Sequence, residues 1–299
     1  MNIKQVQYAL VLSETLNFSK AAEQLGISQS ALSKQIQNLE RDLGVVLFNR
    51  NRSPLSLTPA GEYFIHNARE LTFREEQLRK VLCQFDSSEM GQLTIGVTPF
   101  RSLHLAPDLI KKMRETFPGI KVTLHEVPSV QLRKDAAEGK VDFAIINLPV
   151  DISLMDAIPL AHDTLVLAVP DSMRDLIQGV DATTDELDFV AARKLPFVTL
   201  GQGHELRQLL DNFCSTAGFT PHIAAEVSTV TTAWSMVYSG VGCALMPLHP
   251  LFHSTLNGNV AFFKIKNSLY SRQPAIVTRR GQYLSQYAQY AINLLKETH

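Results

Sequence analysis

The first 58 residues carry a helical alternation of apolar and polar positions. Ile3, Val6, Leu10, Val11 and Leu12 recur at spacings near three and four and lay an apolar stripe on one side of a helix. Ala21, Ala22 and Leu25 face inward from a second short helix. Asn17 or Ser19 is placed to cap it, since either side-chain oxygen accepts an exposed backbone N–H. Gly26 relieves a turn, Ile27 anchors it, and Ser28 starts a third helix whose buried side is Ala31, Leu32, Ile36 and Leu39. The other side, with Ser28, Gln29, Ser30, Ser33, Lys34 and Gln37, is polar throughout. A solvated face in a small bundle would look similar, but the spacing from Ala21 to Leu39 favours a helix-turn-helix.

Asn49 to Pro54 is turn-rich and lies between the apolar pairs Leu47-Phe48 and Leu55–Leu57, the pattern of a small wing. Arg50 and Arg52 would approach phosphates or a minor groove from it. Pro59 then stands at a plausible first helical position, where its missing N–H costs little. Phe64, Ala68, Leu71, Glu75, Leu78, Leu82 and Phe85 alternate by four and three along a helix predicted over 59–86. A seam on a helix this long, joining two compact regions, predicts dimerisation, with Glu75 as its polar interruption.

From residue 91 the period shortens. Apolar strands at 93–97, 122–124 and 143–146 alternate with helices over 103–117 and 130–138, predicting an open, mostly parallel sheet covered by helices. A second region has strands at 165–169, 197–200 and 241–246 and helices over 204–217 and 229–239, and a helix at 285–296 returns to cover the first region. The fold class is therefore mixed: an N-terminal winged helix-turn-helix (1–58), a linker or dimerisation helix and hinge (59–90), and a two-lobed α/β domain (91–299). Its lobe I is expected near 91–161 and 267–299 and its lobe II near 162–266.

Composition narrows the function. The 299 residues are 45% hydrophobic and 19% charged with a net charge of −1, an ordinary globular balance with no polycationic character overall. Residues 1–58 nevertheless hold six basic and four acidic side chains, a local +2. No apolar run approaches membrane-spanning length and the first residues lack the features of a secretory signal, so a cytoplasmic protein without membrane partners is expected. Three cysteines, 83, 214 and 243, form neither a disulfide framework nor a Cys-x-x-Cys pair. The nine histidines are dispersed, so no metal site, cofactor or catalytic constellation is expected.

The run SKAAEQLGISQSALSKQIQNLERDLGVVLFNR, with LTPAG at 57–61, closely resembles the LysR-type family of bacterial transcriptional regulators, and the likeness extends through the linker helix and the two lobes. The carboxy-terminal fold also resembles type 2 periplasmic-binding proteins. The resemblance implies double-stranded promoter DNA as partner, read by a homodimer or a homotetramer built of two dimers. It also implies a small-molecule effector and, for an activator, RNA polymerase. Activation is the first choice and repression the alternative. Ser28, Gln29, Ser30, Ser33, Lys34, Arg50 and Arg52 would be the DNA-binding residues. Gln29 is the leading base reader, because its amide both donates to and accepts from an adenine edge. Ser28 would cap the helix or touch the DNA backbone. Ser30 and Lys34 stand where the family often has Pro and Arg.

The positions matching Thr98 and Ser129 line the family's inter-lobe cleft. Thr98, Phe100, Arg101 and Ser102 form the first strand-to-helix turn, and Thr199, Gln202 and Thr229 bring polar groups from the second lobe. Together with Ser129 they are the expected effector contacts, and Arg101 points to a small organic anion such as a carboxylate. A capping role for Ser102 and pairing of Arg101 with an acid stay open. A solute-binding protein would leave the first 90 residues unexplained, and an α/β enzyme would need a reacting group that the sequence does not offer.

Overall fold

The computed structural model describes residues 1–50, 55–85, 91–177, 186–248, 259–266 and 272–298, apart from the side chains of 80, 83–85 and 298. The chain divides into two compact units, Met1–Gly91 with Gly281–Ser285, and Gln92–Arg280 with Gln286–His299.

The first unit contains α1 (Ile3–Thr15), α2 (Phe18–Gln24), α3 (Gln29–Leu43), strands β1 (Phe48–Asn49) and β2 (Ser56–Leu57), and α4 (Pro59–Phe85). Each short helix starts on a side-chain cap. Asn2 and Gln5 form a reciprocal capping box at α1, Asn17 Oδ1 accepts from the Ser19 and Lys20 N–H groups, and Ser28 Oγ accepts from Ala31 N–H. Of the two cap candidates for α2, Asn17 serves. Leu12, Leu32, Ile36, Leu39, Leu47 and Phe48 are wholly buried and define the core. Ala31 is exposed, contrary to the sequence expectation. The buried stripe of α3 runs through 32, 36 and 39, and Ala31 lies a helical step of about 100° away from Leu32. On α1 the buried set is Gln5, Val6, Tyr8, Ala9 and Leu12, with Leu10 and Val11 only half-buried.

The wing is an antiparallel pair with Phe48 opposite Leu57 and Asn49 opposite Ser56. Its exit into α4 is fixed by the Thr-Pro-Ala-Gly turn. The Thr58 hydroxyl donates to Val46 O at 2.7 Å and accepts from Gly61 N–H at 3.0 Å. Gly61 is obligatory for space: a Cβ there would stand 2.1 Å from Leu47 O.

In the second unit, lobe I contains β3 (Gly91–Val97), α5 (Pro99–Thr116), β4 (Ile120–Glu126), α6 (Ser129–Ala137), β5 (Phe143–Asn147) and β6 (Met155–Pro159). Lobe II follows with β7 (Leu165–Pro170), β8 (Glu186–Leu187), β9 (Pro196–Leu200), α7 (Glu205–Thr216), β10 (His222–Val227), α8 (Val230–Tyr238), β11 (Ala244–Pro247) and β12 (Val260–Ile265). The chain then returns to lobe I through β13 (Pro274–Arg279) and α9 (Gln286–Thr298). The lobe I sheet has the order β4-β3-β5-β13-β6. Strands β3 and β5 are parallel, as the alternating pattern predicts, but β13 runs antiparallel to β5 and β6. In lobe II, β7 is antiparallel to β11 and β12, and β9 is parallel to β10. A strand that re-enters a sheet from another lobe has no right-handed crossover to orient it, and so the mostly parallel expectation fails there. The last helix covers lobe I as expected: the Thr116 hydroxyl donates to the Tyr290 hydroxyl at 2.9 Å, and Phe117 meets Tyr287 and Tyr290 edge-on.

The two chain crossings between the lobes are themselves paired. Asp163 N–H donates to Arg272 O at 2.7 Å, and Leu160 N–H to Pro274 O at 2.8 Å. This side-by-side arrangement places the strand ends of both lobes around one junction.

Replacing Gly61 with Ala is expected to destabilise the first unit by about 3 kcal/mol, because the added methyl overlaps a backbone carbonyl that the wing holds in place. Thermal unfolding followed by circular dichroism checks it; an unchanged first transition would show that Leu47 yields freely.

Candidate functional site

The polar side of α3 is presented by its buried stripe. Leu32, Ile36 and Leu39 are at 0% exposure, so Gln29, Ser30 and Lys34 are turned to solvent, with Ser33 half-buried. Ser28 caps the helix, and its hydroxyl lies 3.1 Å from that of Ser30. The Ser19 hydroxyl of α2 donates to Gln29 Oε1 at 3.4 Å and so touches the first residue of α3.

Glu40 was not singled out from the sequence, where an acid on a charged helix reads as solvated. Its side chain is only 11% exposed. Oε1 accepts the Leu47 and Phe48 N–H groups at 2.9 and 3.1 Å, and Oε2 accepts from Arg50 at 2.8 Å. A mostly shielded carboxylate with this many donors fixes the wing to the end of α3. Arg50 also lies over the Phe18 ring at 5.6 Å. Its guanidinium therefore has an internal partner as well as a solvent-facing edge. Arg52 lies outside the described residues.

On α4, Phe64 packs against the core of the first unit and Ala68 is buried, whereas Leu71, Leu78 and Leu82 are 46, 58 and 55% exposed. Glu75 pairs with Arg79 within the helix. The side chain of Phe85 lies outside the described residues. An exposed leucine row at seam spacing is an apolar face available to another helix.

At the lobe junction the first strand-to-helix turn behaves differently from a bare anion site. Thr98 holds the N-cap position of α5 without a side-chain cap bond, and Ser102 is buried one turn on. Phe100 packs against the apolar core of lobe II. Arg101, only 14% exposed, donates to Asp163 Oδ2 at 2.7 Å and Asn147 Oδ1 at 2.8 Å. Burial lowers the Arg101 pKa, and the facing Asp163 carboxylate opposes that shift. Arg272, on the returning chain, lies 3.8 Å from Asp163 and donates to Glu205 Oε2 at 3.2 Å. Asn147 Nδ2 also donates to Glu205 Oε2, at 2.6 Å.

Glu205 opens α7 directly after His204, whose Nδ1 accepts the Leu206 N–H. Burial, then the Arg272 charge, push the His204 pKa down, so that the cap is a neutral imidazole. Among the remaining expected contacts, Thr199 is buried within lobe II, its hydroxyl donating to Leu200 O at 3.4 Å. It lines a lobe II cavity of about 10 Å³, room for about one water. Ser129 is half-buried at the start of α6, Gln202 is exposed, and Thr229 caps α8 by accepting the Thr232 N–H at 3.1 Å. Of the expected contacts, the structure thus brings Arg101 together with Asn147, Asp163, Glu205 and Arg272, four residues the sequence reading missed. Glu205 and Asn147 had a faint signal, since each stands at an end of an element facing the cleft. Asp163 and Arg272 had none, because only the paired crossings make them neighbours.

Burial, reinforced by Asp211, pushes the Cys214 thiol up to about 12, and burial pushes Cys243 well above its ordinary value. Both are neutral thiols in the lobe II core. Among the described residues no group of three His, Cys, Asp or Glu side chains is arranged to hold a metal ion, and no helix is long and apolar enough to cross a membrane.

Comparison with known proteins agrees with this architecture. Residues 3–62 match the profile described as bacterial regulatory helix-turn-helix protein, lysR family, and residues 86–299 match the LysR substrate binding domain. The chain is 30% identical to the uncharacterized HTH-type transcriptional regulator YcgK of Bacillus subtilis (strain 168), over all of this chain and 95% of that one. It is also 30% identical to the DNA-binding transcriptional dual regulator OxyR of Escherichia coli (strain K12), over 83% of this chain and 79% of the relative. Among solved structures, a full-length OxyR variant from Pseudomonas aeruginosa shares the fold at a TM-score of 0.69 and 24% identity, covering 100% of this chain and 94% of that one. Full-length CbnR complexed with its target DNA shares it at 0.63 and 19% identity, covering 100% of both chains. A winged helix-turn-helix and a two-lobed α/β effector domain, each matching its own family profile along one chain, make this protein a member of the LysR family of transcriptional regulators.

Proposed function

We propose that this regulator is a cytoplasmic activator that binds double-stranded promoter DNA as a homodimer or a homotetramer of paired dimers. It acts through RNA polymerase and responds to a small carboxylate-bearing molecule between the lobes, without catalysing a reaction. In this reading residues 1–58 read DNA, 59–90 join and dimerise, and 91–299 bind the effector. The observation that carries it is the face of α3: Gln29, Ser30 and Lys34 stand exposed above a stripe at 0% exposure, so the backbone that positions them is rigid. A major groove admits such a helix, and two copies joined through α4 would meet two half-sites. Arg50, held by Glu40, would steady the wing near phosphates.

The effector reading is supported by the polar junction between two lobes connected by paired crossings, an arrangement that couples ligand occupancy to lobe separation. Both described cysteines are buried with raised pKa values, which favours a bound ligand over thiol oxidation as the signal.

Three outcomes test this reading. Gln29→Ala should cost about tenfold in preference for a matched operator while leaving affinity for scrambled duplex nearly unchanged; titrations of both duplexes at one salt concentration decide, and equal losses reject base reading by Gln29. The double substitution Leu71→Glu and Leu78→Glu should shift the protein towards monomer in sedimentation velocity and weaken operator binding with it, because charge is placed on the exposed seam. At pH 8 a thiol with a pKa of about 12 is ionised in about one molecule in 10⁴. A native protein in which Cys214 or Cys243 reacts as fast with a thiol reagent as after unfolding would therefore contradict the buried-thiol assignment.

A further inference from the structure

Among the described residues, the side-chain network at the junction pairs two arginines with two carboxylates, and Arg133 donates to Asn147 O beside it. Arg101 and Arg272 contribute two positive groups and Asp163 and Glu205 two negative ones, with side chains 14, 11, 19 and 36% exposed. The two acids are attached differently. Asp163 sits on one chain crossing, backbone-bonded to Arg272 on the other. Glu205 belongs to α7 of lobe II and reaches across to Asn147 and Arg272. Glu205 thus places its own carboxylate on the donors that face it across the cleft. Arg272 keeps a buried Nε–H with no acceptor among the described residues, so the guanidinium has capacity for a further oxygen.

A ligand carboxylate that takes Asn147 and Arg272 from Glu205 leaves Glu205 stripped of both donors and beside a second negative charge. Arg272 is only 11% exposed and Glu205 36%, so repulsion between two carboxylates competing for one largely buried guanidinium opposes that exchange, more than desolvation of Glu205 does. His204, the nearest titratable neighbour on α7, does not relieve it, because it serves as a neutral cap. An ammonium on the same ligand removes the conflict by taking the place of the lost donors at Glu205. We propose that the effector is a small zwitterion of the α-amino-acid type, its carboxylate held by Arg272 and Asn147 and its ammonium by Glu205. This rests on the inter-lobe effector reading above and narrows it from a carboxylate to a carboxylate paired with a cation.

The experiment is calorimetric titration of the full-length protein with matched sets. Each common L-amino acid is compared with its N-acetyl derivative, its carboxamide and the same acid lacking the amino group. At least one amino acid is expected to bind, with all three counterparts weaker by at least about 30-fold. In Glu205→Gln that amino acid should weaken by about 30-fold while the acid lacking the amino group holds or gains; Glu205→Asp, which keeps the charge, should retain the discrimination. Arg272→Gln should instead erase the preference for the amino acid over its carboxamide. Acids without the amino group binding as well as the amino acids would overturn the proposal; if that binding is lost in Arg272→Gln, the carboxylate-effector reading survives alone. Failure of every amino acid also overturns it, and if the simple acids fail too, the carboxylate-effector reading falls with it.

Discussion

The first unit depends on one constraint, that Leu32, Ile36 and Leu39 must be out of water together. Each buried leucine or isoleucine is worth about 2 kcal/mol, and the three share one side of a single helix, so α3 has one favourable rotation about its axis. That rotation sets which side chains face outward. Glu40 extends the same constraint to the wing, because its mostly shielded carboxylate finds its protein donors only when Leu47, Phe48 and Arg50 are in place. Gly61 then lets α4 begin against Leu47 O without a clash. The third helix, the wing and α4 are thus fixed by contiguous contacts, and the outward polar face of α3 needs no separate device to orient it.

The second unit follows a different rule. Its lobes each bury their own sheet, and what lies between them is a polar network in which two arginines face two carboxylates. Arginines at the ends of strands attract anions in general, but here each arginine faces a carboxylate supplied by a chain crossing or by the opposite lobe. The cost of exchanging one largely buried ionic partner for another depends on the charge that is left behind. Next to Arg101, Phe100 packs against the apolar core of lobe II.

The sequence by itself determined the elements and the family. Short-range periodicity placed α1 to α4, the wing, β3, β4, β5, β7, β9, β11 and the helices of the lobes, because the side chains that decide those features are within a few residues of one another, whereas β6, β8, β10, β12 and β13 were not read from it. Gly26 at the turn was legible for the same reason, and so were Ser28 as a candidate cap and Asn17 as one of two for α2, of which the structure selects Asn17. Its error at Ala31 came from counting an alanine as apolar without fixing the phase of the stripe. Tertiary structure alone decided the antiparallel return of β13, the shielding of Glu40 and the pairing of Arg101 with Asp163. It also decided the meeting of Asn147, Glu205 and Arg272. These side chains are polar and far apart in the chain, and nothing in local spacing encodes which distant crossing will run beside which; charge partners of this kind exist only once the backbone has brought them together.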